Sequence, residues 1–90
     1  MTVMEFMRQH GYERVGYDSS IIQFEKKTEC RNELIFRILK DGLKVKDIEI
    51  YVYPMSINGT PNDEAQQADL DRLRKEAEKM KAKILERKIA

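Results

Sequence analysis

The dipeptide Asp41-Gly42 is among the strongest short hairpin signals a sequence can carry. It stands between two runs that alternate apolar and polar positions, ELIFRILK before it and KVKDIEIYVYP after it. Asp-Gly favours hairpins because both residues tolerate positive φ, so Asp41 and Gly42 are expected to supply the turn of an antiparallel pair. In the first run Leu34, Phe36 and Ile38 alternate with Ile35, Arg37 and Leu39. In the second, Ile48, Ile50 and Val52 form one face and Glu49, Tyr51 and Tyr53 the other, with Pro54 ending the strand. Val45 has the wrong parity for the inner face; either a bulge near Lys46 and Asp47 restores it, or the early part of the run is a loose turn. An earlier run, IIQFEKK from Ile21, alternates in the same way and makes three strands in all.

Helical patterns lie on both sides. TVMEFMRQHG has Thr2 and Glu5 at capping-box spacing and Val3, Phe6, Met7 and His10 on one face, which predicts a short amphipathic helix. Gly11 ends it, Tyr12 is placed to fold back on its last turn, and YERVGYDSS reads as a connection. Beyond Pro54, MSINGTPNDE leads into a final helix, with Thr60 or Asn62 as cap, Pro61 in the first turn and Asp63 and Glu64 suited to its positive end. Leu70, Leu73, Ala77, Met80 and Ile84 follow 3-4-3-4 spacing, the stripe expected to face the sheet. A helix from about Asp63 to Ile89 would be roughly 40 Å long, against about 23 Å for a seven-residue strand. Much of it is therefore expected to overhang, leaving a patch of Ala82, Leu85 and Ile89 for the first helix or for a second copy in a homodimer. The expected fold is a single α+β domain over residues 1–90: a short N-terminal helix, a three-stranded antiparallel meander and a long C-terminal helix, both helices on one face.

The chemistry on offer is sparse. No run approaches the length of a membrane span, and MTVMEFMRQH is too short and polar for a signal peptide, so no membrane association and a cytoplasmic location are expected. The lone Cys30 has no internal partner and reads as an incidental thiol. His10, the one histidine, sits where it can meet the last carbonyls of the first helix, and no second histidine or cysteine accompanies it at a metal site. The serines at 19, 20 and 56 lack an assignable base, there is no Gly-rich phosphate loop, and Asn58-Gly59-Thr60 matches a glycosylation sequon by coincidence. No metal, no cofactor and no enzymatic activity are expected; a small hydrolase or transferase would need a pocket of converging polar groups.

Two surfaces remain as binding candidates. From Asp63 to Asp71 there are four acids and no bases, and from Arg72 to Lys88 eight bases and three acids. The plain reading is a solvated face complementing the helix dipole, with Asp71–Lys75 and Arg74–Glu78 paired at i,i+4. Arg72, Lys75, Lys79 and Lys83 nevertheless lie together opposite the leucine stripe, where such a row can follow a phosphate backbone. A net charge of +1 gives an anionic partner little long-range steering, so nucleic acid stands as the alternative. The second surface is the far side of the sheet, where Ile35, Arg37, Leu39, Tyr51 and Tyr53 are expected as neighbours. Its plain reading is an ordinary half-apolar sheet face; its functional reading is an anchor for a protein, since no RNP-type motif accompanies the tyrosines.

The run EFMRQHGYERVGYDSSIIQFEKK, with ELIFRILKDGLKVK and MSINGTPNDEAQQADL after it, resembles small, mostly uncharacterised proteins of phages and prophages of Gram-positive bacteria. Those begin with an F-x-x-x-x-G-Y-type helix end, continue into an i-x-F-E-K-K-like strand and short meander, and finish in a polar helix. The resemblance spans roughly residues 5–70, and the tail here continues further as a charged helix. It implies an accessory role in infection or lysogeny and transfers no active-site residue. The expectation is a non-catalytic protein that binds another protein of the bacterial host, by analogy a host enzyme or defence complex that it inhibits. Arg37, Tyr51, Tyr53, Leu85 and Ile89 are the candidate contact residues.

Overall fold

Residues 1–55 and 61–90 are described by a computed structural model. The elements run α1 (Val3–Gln9), β1 (Glu13–Tyr17), β2 (Ile21–Lys27), β3 (Asn32–Asp41), β4 (Lys44–Pro54) and α2 (Glu64–Leu85). Ser56, the Asn58-Gly59-Thr60 sequon and Thr60 as a helix cap lie outside the described residues.

The sheet has four antiparallel strands in the order β1-β2-β3-β4, one more than the alternation predicted. The additional strand comes from the segment read as a connection: Glu13 pairs with Glu25, Arg14 with Phe24 and Tyr17 with Ile22. Gly16, at φ +62°, lies within a register shift between Arg14 and Tyr17, so the glycine that breaks the pattern in the sequence forms a bulge and not an end. The turn that follows is closed by the Asp18 carboxylate, which accepts from the Ser20 amide at 2.7 Å, the Ser20 hydroxyl at 2.9 Å and the Ile21 amide at 2.9 Å. Those bonds hold the Asp18 carboxyl below the usual carboxylate range.

The central hairpin forms as expected, one residue out of place. Asp41 is still in the strand, opposite Lys44, and the two-residue loop is Gly42-Leu43. Gly42 has φ +63°, the conformation a type II′ turn requires of its first central residue, so one glycine suffices and Asp41 stays extended. Leu39 faces Asp47 and Lys40 faces Val45, leaving Lys46 as the extra residue of the expected bulge. Val45 thereby packs, half-buried, against the core.

Both helices bury their apolar sides on one face of this sheet. The Thr2 hydroxyl accepts from the Glu5 amide and the Glu5 carboxylate accepts from the Thr2 amide, completing the capping box that starts α1. Val3, Phe6 and Met7 enter the core; His10 does not, and its Nδ1–H donates to the Phe6 carbonyl at 2.8 Å. After Gly11, at φ +82°, the Tyr12 amide donates back to Met7 and the ring packs edge-on against Phe36 at 5.3 Å. On the same face α2 contributes Leu73, Ala77, Met80 and Ile84, which cluster with Ile22, Phe24, Leu34, Phe36, Ile38 and Ile48. Leu70, the first residue of the stripe, is buried too.

The Tyr12 hydroxyl is buried without a hydrogen-bond partner, and its pKa is raised, by burial first and then by the nearby Glu76 charge. Leaving a polar atom unpaired costs stability, so removing it should not. Tyr12→Phe is expected to leave stability unchanged or to raise it by up to about 1 kcal/mol, measurable by urea denaturation.

α2 starts one residue later than expected and ends sooner. Its cap is Asp63, whose carboxylate accepts from the Gln66 amide at 2.7 Å, while the Asn62 amide donates to the Gln66 side chain at 2.8 Å. Its 22 residues span about 33 Å, and β4, with 11 residues, reaches about 36 Å. The predicted overhang is therefore absent. Past Leu85 the chain turns back: the Ile89 amide donates to Leu43, and the Val3 amide donates to Lys88, each at 2.9 Å. Ile89 is only 4% exposed and belongs to the core. The patch of Ala82, Leu85 and Ile89 does not exist as a surface, because the helix ends before Ile89 and the tail ties α1 to the central hairpin.

A polar clamp joins the other end of α2 to the β2–β3 turn. Asn32, fully buried, donates to the Gln66 carbonyl at 3.0 Å and to Asp69 at 2.8 Å. Asp69 also accepts from the Thr28 hydroxyl and, at 2.6 Å, from Arg72, and Gln66 donates to the Arg31 carbonyl at 3.0 Å.

Candidate binding faces

The strand alternation that buries Leu34, Phe36 and Ile38 turns Ile35, Arg37 and Leu39 to the opposite side of the sheet, which neither helix covers. The register brings the expected neighbours together: Ile35 lies opposite Tyr51, Arg37 opposite Glu49 and Glu33 opposite Tyr53. Tyr51 and Tyr53 are 43% and 40% exposed, while Ile35 and Leu39 are half-buried by their neighbours. Tyr53 keeps its hydroxyl protonated to higher pH than an ordinary tyrosine, through partial desolvation and then the charge of Glu33.

Arg37 stands at the centre. Its guanidinium is 3.8 Å from Glu49, loosely enough to be recruited by a ligand, and its Nε is buried without a partner. Beside it is a shallow hollow of about 200 Å³ lined by Val15, Gly16, Asp18, Ile21, Gln23 and Arg37. Half of that wall comes from β1 and the turn after it, residues that carried no functional reading. The sequence carried little signal there: in ERVGY only Val15 and Tyr17 are apolar, and Gly16 stands between them. Chemically, the face offers aromatic rings, aliphatic side chains and one arginine on a rigid sheet, a combination enriched at protein interfaces.

The basic candidates are also brought together. Arg72, Lys75, Lys79 and Lys83 line one open groove of about 410 Å³, with His10, Glu76 and Met80. The expected Asp71–Lys75 and Arg74–Glu78 pairs do not form. Arg74 instead pairs with Asp71 at 3.2 Å, and Arg72 with Asp69 and, at 3.6 Å, with Glu76. Glu76 is engaged as well by Lys26, at 3.1 Å. Among the described residues Lys75, Lys79 and Lys83 make no ion pair, so three cations at i,i+4 spacing face solvent. Of the other two contact candidates, Leu85 is exposed, on the helix side of the molecule, and Ile89 is withdrawn into the core.

Among the described residues there is no group of three metal-ligating side chains and no helix long and apolar enough to cross a membrane. Comparison with protein-family models, curated proteins and solved structures gives no match.

Proposed function

We propose that this chain is a non-catalytic accessory protein of phage type that works in the bacterial host cytoplasm by binding another protein through the open face of its sheet, with inhibition of a host enzyme or defence complex as the outcome. The observation that carries this reading is the uncovered row of Tyr51 and Tyr53 against Ile35, flanked by a loosely paired Arg37. Large aromatic side chains lose little conformational entropy on binding and anchor interfaces, and tyrosine and arginine are both enriched at energetic centres. The phage-type assignment rests on the sequence resemblance alone.

The test is capture from a Gram-positive lysate on the immobilised chain, beside a Tyr51→Ser/Tyr53→Ser variant. Both positions are exposed, so the variant is expected to fold, and loss of two central anchors should weaken binding by about 100-fold or more. A partner retained by the wild type and lost by the variant supports the reading; equal retention contradicts it.

The groove of free lysines favours a second reading, a nucleic-acid strand tracked by Arg72, Lys75, Lys79 and Lys83. Such binding would weaken with salt at a log–log slope of roughly −0.7 for each phosphate neutralised on a single strand. The leading reading expects no measurable affinity for single- or double-stranded nucleic acid even at low salt, and fluorescence anisotropy decides between the two.

A further inference from the structure

β4 is an edge strand: beyond an antiparallel bridge between its first residue, Lys44, and Lys88 of the tail, it pairs with β3 alone among the described residues. The opposite edge, β1, has 5 residues and a register shift, features that discourage further pairing. β4 has 11 residues, and beyond its bulge residues 48–53 stay in regular register with β3. Next to this edge lies a groove of about 290 Å³ lined by Ile50, Val52, Ala77, Arg74 and Glu78.

The geometry points to a second copy of this chain as the occupant, its β4 pairing antiparallel with this one about a two-fold axis at Ile50, so that two sheets merge into one. The cross-strand register supports this choice. With Ile50 on the axis, Ile50 meets its own counterpart and Ile48 meets Val52 on the helix side, while Glu49 meets Tyr51 and Asp47 meets Tyr53 on the open side. No like charges are opposed. An axis at Glu49 would set that carboxylate against itself, and one at Ile48 would set Asp47 against Glu49, both destabilising.

The helix above the edge is self-complementary in the same sense. Arg74 and Glu78 flank Ala77, and a two-fold axis reverses their order, so Arg74 of each copy approaches Glu78 of the other. Glu78 makes no ion pair among the described residues of its own chain, and Arg74 has Asp71 on its other side. The resulting dimer differs from the one expected from Leu85 and Ile89, and it places Tyr51 and Tyr53 of both copies in one continuous open face.

Sedimentation equilibrium on the full chain tests this. The wild type is expected to reach twice its 10.7 kDa mass with rising concentration. Arg74→Glu and Glu78→Arg each place like charges at both symmetric contacts, and each should weaken the dimer roughly tenfold or more. The double swap, Arg74→Glu/Glu78→Arg, should restore it. Both sites are exposed, and unchanged far-ultraviolet circular dichroism spectra confirm that the variants fold. A wild type that stays monomeric to millimolar concentration, or a dimer indifferent to the swaps, overturns the inference.

Discussion

Asp69→Ala is expected to destabilise the fold by about 3 kcal/mol, a large fraction of what a domain of this size possesses. Asp69 is the acceptor on which the polar clamp converges, taking hydrogen bonds from Asn32, Thr28 and Arg72. The Arg72 contact contributes least, because that side chain is 59% exposed and its pair is screened by water. The weight falls on Asn32 and Thr28: without the carboxylate an N–H of a fully buried amide loses its acceptor. Asn32 Oδ1 is already buried without a partner, so the site has no slack to absorb a second loss.

The same residue gives a signed pH dependence. Burial pushes the Asp69 carboxyl up, but its hydrogen bonds from Thr28, Asn32 and Arg72 outweigh that and hold it below its ordinary value. A carboxyl depressed in the folded state contributes stability that is fully present above its unfolded pKa, about 3.9, and is lost as pH falls through the folded value. Urea melts of wild type and Asp69→Ala should therefore differ most near neutral pH and converge in acid below about pH 4. A gap that is constant with pH would show that the carboxylate's charge is not what holds the clamp.

The second large effect is at the other end of the molecule. Ile89→Asp should destabilise by about 3–5 kcal/mol, because it places an unpaired charge at a position that is buried in the core cluster. Leu85→Asp, four residues earlier and 45% exposed, should change stability by no more than about 0.5 kcal/mol. The contrast separates a tail that closes the core from a tail that waits for a partner. Equal, small effects at both positions would return Ile89 to the surface.

These two residues also show where the sequence stopped being legible. Periodicity located the α2 stripe, the inner faces of β2, β3 and β4 and even the bulge at Lys46, because each is a local pattern that burial must respect. It placed Arg37, Tyr51 and Tyr53 on one face for the same reason. Ile89 was misjudged because a helical reading continued through Glu86, where the chain turns and the last residues bond to Leu43 and Val3. That contact depends on residues more than forty positions away, and no local pattern carries it. β1 was missed because Gly16 interrupts a five-residue strand, too short for alternation to outweigh a glycine. The clamp on Asp69 was invisible for a further reason: a buried carboxylate in a polar helical turn looks like any other solvated acid until the β2–β3 turn is placed against it.

If the open sheet face is the working surface, a photoreactive residue there should report it directly. The most direct measurement places a benzophenone amino acid at position 51 in one variant and at position 79 in another, and irradiates bacteria producing each. The sheet-face account predicts a covalent adduct from position 51 to a protein other than the chain itself, and none from position 79. An adduct to protein or nucleic acid from position 79, with position 51 silent, would contradict it.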